Sequence, residues 1–140
     1  MRHFFLDTNV VSDFLAGHAP FSLDAAKLFN LAVSGKIVLH ISAVSYNNIY
    51  YVLRQVLTNA ATINLLEKLS EMIAITDVTA NIIRQSLKTD FKDYEDAIQY
   101  YCALSIPKVE GIITRNTKDF KKSDLPVLTA TEALTVFLQE

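Results

Sequence analysis

Apolar residues in this chain come in two rhythms. Dense short runs at positions 3–6, 37–41, 73–76 and 112–113, each bounded by polar residues, predict buried strands. Between them, apolar positions recur every three or four residues, which predicts amphipathic helices. The first strand, His3 to Leu6, ends on Asp7. Thr8 and Asn9 are N-cap types and Val10, Val11, Phe14 and Leu15 follow at helical spacing, so a helix begins at once. Gly17 and Pro20 mark a turn before a helix over Phe21 to Val33, stopped by Gly35. The second strand, Ile37 to Ile41, leads through Ser42 as an N-cap into a helix with Val44, Ile49, Val52, Leu53 and Val56. Asn59 or Thr62 opens the next helix, Ile73 to Thr76 form a short third strand, and Thr79 caps a helix carrying Ile82, Ile83 and Leu87. Asp93 starts a helix through Ile106 that Pro107 halts, and Ile112 and Ile113 form a fourth strand. Pro126, Val127 and Leu128 suit an edge strand, since proline is tolerated there. Thr129 and Glu132 make a capping box for a last helix with Leu134, Phe137 and Leu138 on its apolar face. Strands alternating with helices predict a three-layer α/β/α fold around a mainly parallel sheet of four to five strands.

Composition narrows the class. The 140 residues fit one domain over 1–140, and 51% apolar with three glycines and three prolines leaves no room for a long disordered part. No apolar run reaches the length of a membrane span and no secretory pattern is visible, so a cytoplasmic protein with no membrane contact is expected. Cys102 is the only cysteine, which excludes an intramolecular disulfide, and its apolar helical setting reads as core. A net charge of −2 argues against holding nucleic acid by bulk charge. It leaves open a local basic edge at Arg115, Lys118, Lys121 and Lys122. The six tyrosines fall on two predicted helices, where packing explains them better than base stacking.

The acids are grouped in a way that carries chemistry. The carboxyl ends of parallel strands share one crevice. Asp7 ends the first strand, Asn116 and Asp119 follow the fourth, and Asp93 and Asp96 open the helix between, three apart and on one helical face. Each acid also has a local role available: Asp7 and Asp93 as caps, Asp96 as a capping-box partner, Glu95 as a solvated first-turn acid, Asp119 as the cap of a short turn. Taken together, converging oxygen ligands with no lysine among them suit a hard cation, Mg²⁺ or Mn²⁺. Such an ion activates water and clamps phosphoryl oxygens, so phosphodiester hydrolysis is the matching reaction.

Leu-Asp7-Thr-Asn9-Val, Asp93-Tyr-Glu-Asp96-Ala-Ile-Gln and Thr114-Arg-Asn116-Thr-Lys-Asp119-Phe, in this order across nearly the whole chain, resemble a PIN domain. The likeness is to small bacterial PIN proteins of the VapC toxin kind. It implies a Mg²⁺- or Mn²⁺-dependent endoribonuclease acting on RNA, usually a homodimer, often held by an antitoxin protein. The family's first acid falls on Asp7, its third on Asp96 and its fourth region on Asn116 and Asp119; Asn9 and Thr114 match supporting polar positions. One position departs. Where the family carries a glutamate early in the helix after the second strand, this chain has Asn48. The expectation is that Asp93 makes up the missing charge; weak metal binding or lost catalysis are the other outcomes. A non-catalytic PIN-like module binding RNA or a partner protein is the alternative function. The haloacid-dehalogenase phosphatases also begin strand-Asp, but Asn9 cannot serve as their second, proton-donating acid.

Overall fold

The computed structural model of the chain describes residues 2–138. The elements are β1 (Arg2–Leu6), α1 (Thr8–Ala16), α2 (Phe21–Val33), β2 (Ile37–Ser42), α3 (Ala43–Arg54), α4 (Asn59–Met72), β3 (Ala74–Thr76), α5 (Ala80–Leu87), α6 (Tyr94–Leu104), β4 (Val109–Ile113), β5 (Val127–Leu128) and α7 (Ala130–Leu138). A single 3-10 turn, Thr117–Phe120, lies between β4 and β5. The five strands stand in the order β3-β2-β1-β4-β5, and every pairing is parallel.

The period-two alternation of the central strands divides the core. Phe4, Leu6, Leu39, Ile41 and Ile113 face one side, packing with Val10, Val11, Leu28, Phe29, Ile49 and Leu69 from α1 to α4. Phe5 and Ile112 face the other, against Tyr100, Cys102 and Ala103 of α6 and Phe120 of the 3-10 turn. Helices therefore cover both faces of the sheet, as expected for parallel strands. Burial of each such large side chain is worth about 1.5–3 kcal/mol relative to exposure. The site described below is hung from this rigid centre.

Several element ends differ from the sequence pattern. Of the cap types at the head of α1, Asp7 takes the N-cap place that one reading gave it, its side chain accepting from the amide of Thr8, and Thr8 and Asn9 lie inside the helix. Ile73 ends α4 rather than opening β3; the backbone turns extended there while its amide still donates to the Leu69 carbonyl. β4 begins at Val109, earlier than its two isoleucines suggested, and Glu110 within it meets Arg2 at 3.0 Å across the sheet. The capping box at the head of α7 forms as its sequence requires: Thr129 N–H donates to Glu132 Oε1 at 2.9 Å and Glu132 N–H to Thr129 Oγ1 at 3.1 Å. The side chain of Leu138, expected on that helix's apolar face, lies outside the described residues.

Candidate active site

From β1 the chain steps to β2 and β3 on one side, and β4 and β5 are laid on the other. The carboxyl ends of β1 and β4 thus flank the point where strand order reverses, the crevice that open α/β sheets use for ligands. Asp7 sits at that point, 8% exposed. Its amide donates to Ile113 O at 2.9 Å, so β1 and β4 remain paired up to the site. Its Oδ1 accepts from Thr8 N–H and its Oδ2 from the Thr114 hydroxyl, each at 2.8 Å. Burial raises the Asp7 pKa against the pull of those two bonds; the charge of Asp119 adds to the rise and that of Arg115 opposes it.

Asp7 opens onto a cavity of about 460 Å³ whose wall also carries Asp96, Asp119, Glu95, Asn48 and Gln99. Asp96 is pushed up to about 7, first by burial and then by the charges of Asp119, Asp93, Asp7 and Glu95. Carboxylates from three separate segments are therefore near enough to repel one another. Arg115 is the one lysine or arginine on that wall, and its guanidinium donates to Asp13 Oδ1 at 2.8 Å while lying 4.9 Å from the Phe21 ring centre. Beneath the wall runs a chain of neutral groups. The Ser42 hydroxyl donates to Ser45 Oγ at 3.0 Å, Gln99 Nε2 donates to the same oxygen at 2.9 Å, and the Thr8 hydroxyl joins it. Gln99 is 4% exposed and its Oε1 has no partner among the described residues.

Of the expected site residues, the fold gathers Asp7, Asp96, Asp119, Asn9, Asn48 and Arg115 around one cavity, with Thr114 behind Asp7. Asn9 Oδ1 accepts from the Arg115 amide at 3.2 Å, tying α1 to the segment after β4. Asp93 is placed elsewhere. It is the N-cap of α6, its Oδ1 accepting from Glu95 N–H at 2.8 Å and Asp96 N–H at 3.2 Å, and it is not on the cavity wall. Glu95, expected to be merely solvated, is on the wall instead. Asn116 is exposed off the wall, with its amide donating to Thr114 Oγ1 and its carbonyl receiving Asp119 N–H. Lys122 pairs with Asp90 at 3.1 Å, whereas Lys118 and Lys121 are exposed and their ammonium groups have no partner among the described residues. Asp13 and Gln99 were missed by sequence reasoning. Asp13 carries no cue, being an acid inside a helix; Gln99, three residues after Asp96 on the same helical face, did.

A model of the PIN domain matches residues 3–118. The chain belongs to the PIN domain family. No curated protein matches it in sequence. Among solved structures, this PIN domain is similar to the VapBC2 complex of Rickettsia felis bound to a promoter DNA fragment, with 18% identity and a TM-score of 0.68 over 91% of this chain and 98% of that one. It is also similar to VapBC-1 of nontypeable Haemophilus influenzae, with 20% identity and a TM-score of 0.68 over 92% and 98%. A third likeness is to VapC20 of Mycobacterium tuberculosis, described as a sarcin-ricin loop cleaving toxin, with 18% identity and a TM-score of 0.59 over 78% and 86%. At such identities the shared property is the fold. Among the described residues no group of three His, Cys, Asp or Glu side chains is drawn tightly enough together to hold an ion directly. The carboxylates of this PIN domain instead ring a cavity whose wall also carries His18 and Arg115, both turned to Asp13, and this oxygen-rich set fits a hard divalent cation that keeps part of its water.

Proposed function

We propose that this PIN domain is a Mg²⁺- or Mn²⁺-dependent endoribonuclease, the toxin of a toxin–antitoxin pair. The observation that carries the reading is the common cavity of Asp7, Asp96 and Asp119, three acids from distant segments, at the strand-order reversal. They would hold the ion. Bound there, it supplies Lewis acidity toward a phosphodiester and a water acidic enough to attack it. The chain's own residues do the rest. The Thr8 amide and Thr114 hydroxyl fix the orientation of Asp7, and Asn9 holds the segment bearing Asp119 against α1. Lys118 and Lys121 flank Asp119 in sequence and would position the RNA backbone. The likeness to VapBC structures supports an antitoxin as partner, and exposed Tyr51 and Val52 on α3 with Val56 in the turn after it offer apolar surface to a second copy.

The test is Asp7→Asn. Divalent-dependent cleavage of RNA should be lost while thermal stability stays near wild type, because asparagine caps a helix as well as aspartate. Full activity in this variant would overturn the reading. Asn48 favours the second reading, a module that binds RNA or a protein without cutting. That reading predicts RNA binding by the purified chain with no cleavage at any Mn²⁺ concentration.

A further inference from the structure

The cavity wall carries two acids that the sequence pattern does not assign, Asp13 and Glu95, and lacks one that it does, Asp93. Asn48, where the family carries a glutamate, lines the cavity and is neutral. Asp93, the expected replacement, is committed to two backbone amides at the head of α6. Glu95 has no such commitment. Its amide serves Asp93, but its carboxylate has no hydrogen-bond or ion-pair partner among the described residues. Glu95 and Asn48 line the acid cavity together, and both also line an adjoining recess of about 150 Å³, so the two stand at the same border. Gln99 is on both walls with them, one turn of α6 after Glu95 and Asp96. Its buried, unpartnered Oε1 calls for a donor, since a buried acceptor left unmade is costly. A hydrated cation held on this wall would bring donors to the side of Gln99, and Asp93, off the wall, would not hold it there.

We infer that Glu95, standing beside Asn48, supplies the cavity carboxylate that position 48 lacks, so that the acidic ligand has moved from α3 to the first turn of α6. This rests on the cavity being a divalent-cation site. The side chains suit the exchange: glutamate is long enough to reach across the border from α6, and the amide left at 48 can hold a water without adding charge.

The experiment is Mn²⁺ binding by the full chain, followed by calorimetry and by the electron paramagnetic resonance of the free ion, with metal-free thermal unfolding as the fold control. Glu95→Gln should weaken Mn²⁺ binding about tenfold or more, without lowering the metal-free unfolding temperature. Adding Asn48→Glu to Glu95→Gln should restore the affinity, a rescue that a purely structural role for Glu95 would not give. Asp93→Asn should bind Mn²⁺ as the wild type does. If Glu95→Gln binds normally while Asp96→Asn does not, Glu95 is only a first-turn acid and this inference falls, though the nuclease reading stands. If Asp93→Asn weakens binding as much as Glu95→Gln, the effect is general charge at the helix end and the inference also falls. A wild-type chain that binds no Mn²⁺ overturns both.

Discussion

Asp7 accepts from the Thr8 amide with one oxygen and from the Thr114 hydroxyl with the other, so its carboxylate is oriented before any ligand arrives. Asp96 is held differently. Half-buried among Asp119, Asp93, Asp7 and Glu95, it has its pKa raised from 3.8 to about 7, which makes the metal-free site a source of instability. In the unfolded chain Asp96 loses its proton near the ordinary carboxylate value, while in the folded chain it keeps the proton until about neutral. The folded state therefore binds more protons between these values, and stability falls as pH rises through that window. Below the lower value both states are protonated and the full stability is present. Asp96→Asn removes the titration. We expect its metal-free unfolding temperature to exceed that of the wild type at about pH 8 and to match it at about pH 4. Wild-type stability should recover at the higher pH when Mn²⁺ is added, because an ion bound only by the folded form stabilises it. An Asp96→Asn curve parallel to wild type across the range would show that Asp96 is not under this charge pressure.

At the scale of elements, the site depends on the edge where β5 joins β4. Ile112 N–H donates to Pro126 O and Thr114 N–H to Leu128 O, each at 2.9 Å, so β5 fixes the backbone of the residue that orients Asp7. Gly111 permits this close approach, since a Cβ there would meet Pro126 O at 2.8 Å. Gly111→Ala should destabilise the fold by about 1–3 kcal/mol in urea unfolding, the range for forcing extra volume into a packed place. An unchanged midpoint would mean that β5 yields freely. The existence and order of the elements were legible because the strands are dense apolar runs and the helices carry Ser42, Thr79 and Thr129 as caps. Their ends were less so. Ile73 looks like a strand residue in sequence but closes α4, and Val109 and Glu110 join β4 only through pairing with β1. The same limit applies to the site. Asp7, Asp96 and Asp119 were readable because each follows a strand or opens a helix. That Glu95 lines the cavity and Asp93 does not was not readable, because it turns on which way the first turn of α6 faces, and only the packed α6 fixes that.

For the whole molecule, a net charge of −2 means that any grip on RNA must come from a few local cations rather than from the overall field. The basic run after β4 supplies them unequally. Arg115 is engaged by Asp13 and Phe21, and Lys122 by Asp90, so both have partners to lose before meeting a phosphate. Lys118 and Lys121 are exposed, have no partner among the described residues, and belong to the 3-10 turn that carries Asp119 or directly follow it. Replacing both by alanine should weaken RNA binding to the Asp7→Asn variant equally for all sequences. Each lost phosphate contact should flatten the log–log salt dependence by about 0.7, hence about 1.4 for the pair, on a single strand. Lys122→Ala alone should change the slope less, because Asp90 already neutralises that charge. Cleavage-site preference in the wild-type background should not move, since phosphate contacts position a strand without reading it. A shift in preference would mean that these lysines touch base edges. An unchanged slope would mean that RNA enters the cavity from the α3 side, past Asn48, where the wall offers amides and no cation.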